Sequence, residues 1–294
     1  MGLLTSLKKL FAGKPKGAMQ RIDVRKRFDL VGRMGQGSMS KVWRARDKQL
    51  GRVVCLKLLD KAKTAKFAAR FPGLTKPKEG AISMLLRHKN IVQTYEWGLT
   101  TDGEFYLVME LIDGLGLNYL IETRSPQLEG NRVKFLAQMA DAVEYMHKNG
   151  FLHRDICPRN VMVTKEGLVK MIDFGLTIPN TREFFKPGNR TGTPNYLAPE
   201  LIRRVPTDHR VDLFALGVTA YEIYTGMLPW EKAQSLQTLL SHMNSPGKNP
   251  QEVREDLDEA TAAFLRKAIA RDPHDRFQTA GELAAAVRSL KSTF

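Results

Sequence analysis

Apolar residues in the first third of the chain occur in short runs next to turn-forming residues. One run covers residues 53–59 and follows a turn at residues 49–51, and a second run covers residues 105–109. Short runs of β-branched and aliphatic residues beside a turn are typical of β-strands. The segment at residues 78–87, between the two runs, has the spacing of a helix. This part of the chain is therefore predicted to be β-rich with one main helix.

Apolar residues beyond Gly114 recur at intervals of three and four, which is the spacing of one face of an α-helix. One predicted helix lies around residues 133–146 and another around residues 213–223. A β-rich part followed by a mostly helical part indicates an α+β protein with two lobes and a cleft between them.

The composition narrows the class of protein. The chain has 294 residues, 43% of them apolar and 26% charged, which excludes a wholly disordered or fibrous protein. The net charge of +15 predicts attraction to anionic partners such as nucleotides, membrane surfaces or acidic proteins. Two cysteines, Cys55 and Cys157, cannot build a disulfide framework and favour a reducing compartment. No apolar stretch reaches the roughly 18 residues of a membrane-spanning helix, so we expect a cytoplasmic protein.

The first 27 residues form a basic leader with helical leucine spacing in residues 1–12. Two interpretations stay open: an anchor at an anionic membrane surface, or a solvated tail whose leucines pack on the body. Gly2 followed by Ser6 also fits the N-myristoylation pattern, which matters only in a eukaryotic cell. The leader has one acid, Asp23, and eight cations: Lys8, Lys9, Lys14, Lys16, Arg21, Arg25, Lys26 and Arg27.

A glycine-containing segment runs from Met34 to Val42 and has the look of a phosphate-covering hairpin. Glycines such as Gly35 and Gly37 let backbone N–H groups approach phosphate oxygens without a Cβ in the way. Ser40 stands where the usual spacing has a third glycine. Taken alone, the segment is explained equally well as a tight surface hairpin.

Lys57 lies inside the apolar run at residues 53–59, fifteen residues after Val42. A lysine in such a strand is disfavoured unless its charge meets an anion. Glu79 is the only acid between Asp60 and Glu96, and it begins the predicted helix.

Three further segments follow in the second part of the chain. Residues 153–160 read HRDICPRN and place Asp155 and Asn160 five positions apart. A carboxylate and an amide oxygen suit the orientation of an attacking hydroxyl and the binding of magnesium. Asp173, in the sequence DFG at residues 173–175, adds a hard oxygen donor suited to Mg²⁺. Residues 192–200 then read GTPNYLAPE.

Together these segments, in this order over about 165 residues, resemble the protein kinase superfamily, in particular the bacterial Hanks-type group of Ser/Thr kinases. The resemblance covers about residues 28–290. It implies a bilobal kinase domain at residues 28–294, with a small β-rich N-lobe (about 28–109), a hinge (about 110–114) and a larger, mostly helical C-lobe (about 115–294). The implied reaction transfers the γ-phosphate of ATP, with Mg²⁺ or alternatively Mn²⁺, to Ser/Thr hydroxyls of proteins.

The resemblance also implies roles for individual residues. Asp155 would orient the acceptor hydroxyl, Asn160 and Asp173 would hold the metal, and Thr193 would form a hydrogen bond near Asp155 where substrate docks. Asp212 would brace the catalytic-loop backbone. Arg276 would pair with Glu200. The nucleotide would be bound by Met34, Gly35, Gly37, Ser38, Val42, Cys55, Lys57 with its partner Glu79, Met109 at the back of the adenine pocket, the hinge backbone of Glu110 and Leu111, and Met162 as the floor.

The chain departs from the family pattern at Cys157, where Ser/Thr kinases have a lysine that reaches the transferring phosphate. Arg159, two positions later, is predicted to supply the missing charge, because an arginine stays charged and its planar fork suits phosphoryl oxygens. The resemblance links Arg154 to activation-loop phosphorylation, with Thr181 and Thr191 as the candidate sites.

Other interpretations and partners follow from the same residues. A pseudokinase that binds ATP and acts as a scaffold is the alternative function. Small-molecule phosphorylation is disfavoured by residues 192–200, and no motif supports nucleic-acid binding. Protein substrates with acidic surfaces fit the positive charge. Residues 61–78 carry six cations and no acid, which leaves a solvated loop or a docking surface as alternatives. The sequence leaves the oligomeric state open.

Overall fold

The computed structural model describes residues 21–36, 40–187, 190–232, 236–241 and 245–291. The chain divides into two compact units, Met1–Asp113 and Gly114–Phe294. The helix expected in residues 1–12 and the myristoylation pattern at Gly2 and Ser6 lie outside the described residues.

The first unit is built on a sheet in which the lysine-bearing run is an inner strand. The strand order is β1-β5-β6-β4-β3-β2, and all neighbours pair antiparallel except β1 and β5. The register places Lys57 opposite Val42 on one side and Leu107 on the other. The strands are β1 (Arg21–Ile22), β2 (Phe28–Gln36), β3 (Ser40–Asp47), β4 (Arg52–Leu59), β5 (Thr94–Thr100) and β6 (Phe105–Met109).

The helix predicted at residues 78–87 is present in the first unit and packs closely on the sheet. The helices here are α1 (Val24–Arg27), α2 (Lys61–Ala68) and α3 (Glu79–Leu85). A Cβ on Gly80 would lie only 2.5 Å from the Trp97 ring of β5, so glycine allows α3 to approach the sheet at its first turn. That close approach fixes the position of Glu79, the first residue of α3.

Residues 61–78 are only partly the loop that was one of the sequence interpretations, because residues 61–68 are helical and residues 69–78 are turns and loop. Their first half is α2, which begins after Asp60, whose side chain accepts a hydrogen bond from the Lys63 N–H. Phe67 and Phe71 are buried and meet edge to face, with ring centroids 5.6 Å apart. The many cations in this segment made it look polar, so the sequence analysis did not predict that Phe67 and Phe71 are buried.

The packed part of the chain begins before Phe28, the expected start of the domain. Residues 21–22 pair with β5, and Arg27 is buried in a bidentate contact with Asp47 and a second ion pair with Glu96. The hydrogen bond to Glu96 is the main reason why the pKa of Arg27 is raised. The partners lie 20 and 69 residues away along the chain, so composition alone assigned Arg27 to the leader.

The second unit is mostly helical, and both helices predicted there are present. Nearly every residue of α7 is buried, which makes this helix the centre of the unit. The helices are α4 (Leu117–Glu122), α5 (Arg132–Lys148), α6 (Pro199–Arg203), α7 (Arg210–Thr225), α8 (Leu236–Ser241), α9 (Pro250–Val253), α10 (Glu259–Ala268) and α11 (Ala280–Arg288).

The second unit also contains short strands and single 3₁₀ turns, which lie between its helices and loops. Strands β10, β9 and β7 form one small sheet, and β11 pairs with β8. Among the described residues, no helix is both long and apolar enough to cross a membrane. The strands are β7 (Gly114–Gly116), β8 (Phe151–Leu152), β9 (Val161–Thr164), β10 (Val169–Met171) and β11 (Ile178–Pro179), and the 3₁₀ turns are Pro158–Asn160, Arg182–Phe185, Pro194–Tyr196 and Pro273–Asp275.

Candidate active site

In the first unit, Lys57 and Glu79 form the ion pair expected from the sequence. Lys57 Nζ lies 2.7 Å from Glu79 Oε1, and both side chains are buried. Strand β4 supplies the lysine and the first turn of α3 supplies the glutamate. A buried ammonium requires such a partner, because an unpaired charge in the interior is costly. The pair presents a positioned cation on the sheet.

The glycine-containing hairpin is described only in part. Gly35 pairs in register with Val42, Met34 is exposed, and Ser40 is buried at the start of β3. Gly37 and Ser38 lie outside the described residues. Cys55, half-buried on β4, has its pKa raised to about 11 by burial, so its thiol is neutral at pH 7.

The predicted hinge follows β6. Met109 is buried and lies opposite Cys55 and Thr94 in the sheet. The Glu110 N–H donates to the Gln93 carbonyl at 2.9 Å, and the Glu110 carboxylate accepts from the Gln93 N–H at 2.8 Å. The Glu110 N–H is therefore already used in a hydrogen bond within the first unit. Fewer backbone groups of Glu110 are left to bind the nucleotide than expected.

In the second unit, the Asp155 carboxylate is held by donors on both oxygens. Oδ1 accepts from the Thr193 N–H at 2.8 Å and from the Thr193 hydroxyl at 2.7 Å. Oδ2 accepts from Asn160 Nδ2 at 2.9 Å, and the same amide donates to the Asp155 carbonyl at 2.8 Å. The hydrogen bond expected between Thr193 and Asp155 is thus present. These contacts fix the carboxylate, and no cation among the described residues forms an ion pair with it.

The loop that carries Asp155 is braced from α7, as the resemblance implied. Asp212 accepts from the backbone N–H groups of His153 and Arg154 at 2.8 and 2.9 Å. These bonds support Arg154 at a φ of 69°, in the left-handed region. Burial acts to raise the pKa of Asp212, but hydrogen bonds led by that from His147 outweigh it, and the pKa is lowered.

The second structural pair of the second unit is also present. Arg276 grips Glu200 through two nitrogen–oxygen contacts of 2.8 Å, and both side chains are buried. This bidentate pair links α6, which begins in the last two residues of the GTPNYLAPE segment, to the loop before α11.

Oxygen donors of the kind that magnesium prefers occur at Asn160 and Asp173. Since Asn160 donates through Nδ2, its Oδ1 points elsewhere. Asp173 has a φ of 64°, and its Oδ1 accepts from the Gly175 N–H at 3.1 Å. Both side chains are half-buried. Met162, the predicted floor of the adenine pocket, lies half-buried on β9 opposite Gly116.

Cys157 is fully buried beside Thr193, with Sγ 3.7 Å from the Thr193 hydroxyl oxygen. Burial raises the pKa of this thiol to about 12, so it carries no charge at pH 7. Arg159 is exposed, and its side chain forms no hydrogen bond or ion pair within the described part of the chain. An exposed arginine thus lies two residues after a buried, neutral thiol.

The two candidate phosphorylation sites lie in different settings. Thr181 is half-exposed and precedes the 3₁₀ turn Arg182–Phe185. Thr191 is buried, and its hydroxyl lies 3.5 Å from Nη2 of Arg154. Phosphate addition at Thr191 would require this segment to open, whereas Thr181 is accessible as it stands.

Sequence reasoning missed a contact between the GTPNYLAPE segment and α7. The Tyr196 hydroxyl donates to Glu222 at 2.5 Å, and burial raises the pKa of both groups. Nor did the sequence indicate that His147 contacts Asp212, with Nε2 at 2.9 Å from Oδ2. The partners are 26 and 65 residues apart, and no local pattern links them.

Comparison with known proteins gives matches over most of the chain. A family model for the protein kinase domain matches residues 28–287. A probable serine/threonine-protein kinase of Clostridium perfringens is 31% identical over 274 residues, which cover 90% of this chain and 38% of the relative. The serine/threonine-protein kinase PknB of Mycobacterium tuberculosis is 33% identical over 271 residues, covering 88% of this chain and 42% of the relative. The chain thus spans about two fifths of the length of these relatives.

Proposed function

The chain belongs to the protein kinase family, and from that premise we propose that it transfers the γ-phosphate of ATP to serine and threonine hydroxyls of protein substrates. The observation that carries the proposal is the Asp155 carboxylate, fixed by Thr193 and Asn160 at 2.7–2.9 Å. The names of the bacterial relatives support Ser/Thr specificity.

Asp155 would orient the acceptor hydroxyl and finally accept its proton. Both of its oxygens already accept hydrogen bonds from neutral donors, which hold the carboxylate in one orientation. Phosphoryl transfer depends chiefly on positioning and charge stabilisation, so a preset carboxylate saves ordering cost when the acceptor arrives. Thr193 would also dock the segment of substrate that carries the acceptor.

Lys57 would bind the α- and β-phosphates of the nucleotide. Its ammonium is buried and held by Glu79 at 2.7 Å, so it does not have to be ordered when ATP binds. We assign the rest of nucleotide binding to the predicted residues: Met34, Gly35, Gly37, Ser38, Val42, Cys55, Met109, Leu111 and Met162, with the part of Glu110 limited by its contact with Gln93.

Magnesium fits the donors at Asn160 and Asp173, which are one amide oxygen and one carboxylate. Within the described ranges, no group of three or more His, Cys, Asp or Glu side chains is placed to hold a metal ion. The remaining ligands would therefore be phosphate oxygens and water. When bound, the ion would neutralise charge on the transferring phosphate.

We assign to Arg159 the positive charge that Cys157 cannot supply. Its exposed side chain can change rotamer at little cost, and it keeps its charge at any pH of interest. We also propose that the chain phosphorylates itself at Thr181 or Thr191. The basic leader would act as an anchor at an anionic membrane surface, and the protein substrates would have acidic surfaces. Mass spectrometry of residues 176–193 and vesicle sedimentation test the first two.

The deciding experiment incubates the purified chain with labelled ATP, Mg²⁺ and a generic acceptor protein, followed by phosphoamino-acid analysis. We expect label on serine and threonine, and its loss in Asp155→Asn. Asp102→Asn, at an exposed turn between β5 and β6, is the matched control and should keep full activity. Nucleotide binding without any transfer would favour the pseudokinase, and label on tyrosine would contradict the specificity.

A further inference from the structure

The second unit contains a cavity that the proposed reaction does not use. Its volume is about 350 Å³, and it lies where the C-terminal end of α7 meets the ends of α4 and α9 and the segment before α5. A volume of this size is within the range of pockets that hold small molecules.

Three arginines line this cavity, and two of them are held in place by the end of α7. Arg132 Nε donates to the Ile223 carbonyl at 3.3 Å, and Arg254 Nη1 donates to the Tyr224 carbonyl at 2.9 Å. Cations at a helix C-terminus are favourable because the last carbonyls are otherwise unsatisfied. Both guanidinium groups are therefore positioned before any ligand arrives.

The third arginine, Arg124, gives the lining an uncompensated positive charge. Arg132 pairs with Glu129, the one acid among the lining residues, and Arg254 pairs with Asp256. Arg124 is exposed at a φ of 47°, and its side chain has neither an ion pair nor a hydrogen bond to any residue that the structure describes.

Behind this wall lies a buried hydroxyl that has no hydrogen-bond partner among the described residues. Tyr224 lines the cavity and is 2% exposed, and its hydroxyl contacts no donor or acceptor in the described residues. Leaving such a group unsatisfied costs on the order of 1–3 kcal/mol. Burial raises the pKa of Tyr224 to about 12, so the group keeps its proton, and its oxygen has almost no surface open to the cavity.

We propose that this cavity binds a small, water-soluble molecule that carries a phosphate monoester and a short apolar body. The phosphate would contact Arg124, and the apolar body would lie against Ile121, Leu128 and Val253. Arginine suits phosphate because its planar group donates two parallel hydrogen bonds. The proposal is independent of kinase activity, since none of these residues belongs to the proposed active site.

The test measures binding of phenyl phosphate to the full chain by calorimetry. We expect saturable binding that weakens tenfold or more in Arg124→Gln. Tyr224→Phe should keep the wild-type affinity, because the hydroxyl does not face the cavity, and its melting temperature should stay the same or rise, because the variant removes an unsatisfied hydroxyl. Arg204→Gln is the matched control, since Arg204 is also an exposed arginine at positive φ, and its affinity should equal that of the wild type.

Three outcomes would overturn the proposal. They are the absence of saturable binding, equal affinity in Arg124→Gln and wild type, and phenol binding as tightly as phenyl phosphate. Vesicles containing phosphatidic acid form the last arm. Their displacement of phenyl phosphate would assign the site to a lipid head group and contradict a soluble ligand.

Discussion

The two units hold their key charged groups by different means. In the first unit, Lys57 and Glu79 are both buried and neutralise each other at 2.7 Å. In the second unit, Asp155 is half-buried, and the described side chains that hold its carboxylate are the neutral donors Thr193 and Asn160. In a buried ion pair the two charges neutralise each other, and removal of one partner strongly destabilises the fold. A carboxylate held by neutral groups is not neutralised by a neighbouring cation, so its negative charge can act on the substrate.

This difference predicts that function and stability separate in the second unit and stay coupled in the first. Substitution of Asp155 removes a half-exposed charge whose donors can turn to water. Substitution of Lys57 or Glu79 removes the 2.7 Å ion pair from the residue that remains buried. The following predictions test this contrast, beginning with the largest expected effect.

Asp155→Asn should reduce phosphotransfer by ~10²–10⁴-fold, the usual contribution of a positioned general base. Its melting temperature should stay close to that of the wild type, because an amide oxygen can still accept from Thr193. Initial rates and thermal unfolding measure the two effects. A folded variant with wild-type rate would remove Asp155 from the reaction.

Lys57→Met should abolish transfer and also destabilise the first unit by ~3–5 kcal/mol, because the buried Glu79 carboxylate would lose its 2.7 Å ion pair. The double variant Lys57→Met with Glu79→Gln should regain most of the stability but none of the activity. Denaturant unfolding of the wild type, Lys57→Met, Glu79→Gln and the double variant gives a double-mutant cycle. Additive losses in stability would show that the pair is not coupled as the geometry indicates.

Arg159→Ala should lower the rate by ~100-fold, the typical effect of removing one charge-stabilising contact in a transition state. Stability should not change, since the side chain is exposed and makes no hydrogen bond within the described residues. Adding Cys157→Lys to Arg159→Ala should restore part of the rate. Full activity of Arg159→Ala would exclude the compensation, and activity appearing only with Cys157→Lys would identify the wild type as a pseudokinase.

The sequence predicted features whose partners lie in recognisable segments. Lys57 with Glu79, and Asp155 with Thr193, come from motifs with fixed spacing, and their side chains meet as expected. The features that were missed depend on packing between distant segments. The Phe67–Phe71 pair was hidden by the lysines around it, since charge dominates the local pattern even where a few apolar side chains anchor the segment.

The cavity at the end of α7 shows the same limit more clearly. Arg124, Arg132 and Arg254 lie in segments up to 130 residues apart, and each resembles a solvated surface arginine in sequence. Only the packing of α7 against its neighbours brings them to one wall. An unsatisfied hydroxyl such as that of Tyr224 has no sequence signature at all, because it is defined by what surrounds it.

A further test of the second unit uses His153, which is fully buried among acids. Burial lowers its pKa below the ordinary value of 6.5, although Asp212, Asp155 and Asp173 all act to raise it. The folded state therefore keeps this imidazole neutral at a pH where the unfolded chain binds a proton. As a result, the stability that His153 contributes is complete above about pH 6.5 and is lost as pH falls below it.

The expected loss is ~1 kcal/mol between pH 6.5 and 5.5, the amount set by one extra proton on the unfolded state. His153→Phe should flatten this part of the stability curve, because the variant cannot take up the proton and its ring can still pack against Phe174. His274→Phe, at an exposed histidine, is the control and should keep the slope. Denaturant unfolding at several pH values gives the slopes. An unchanged slope in His153→Phe would show that His153 is charged in the folded state, and the second unit would then hold Asp155 near a cation after all.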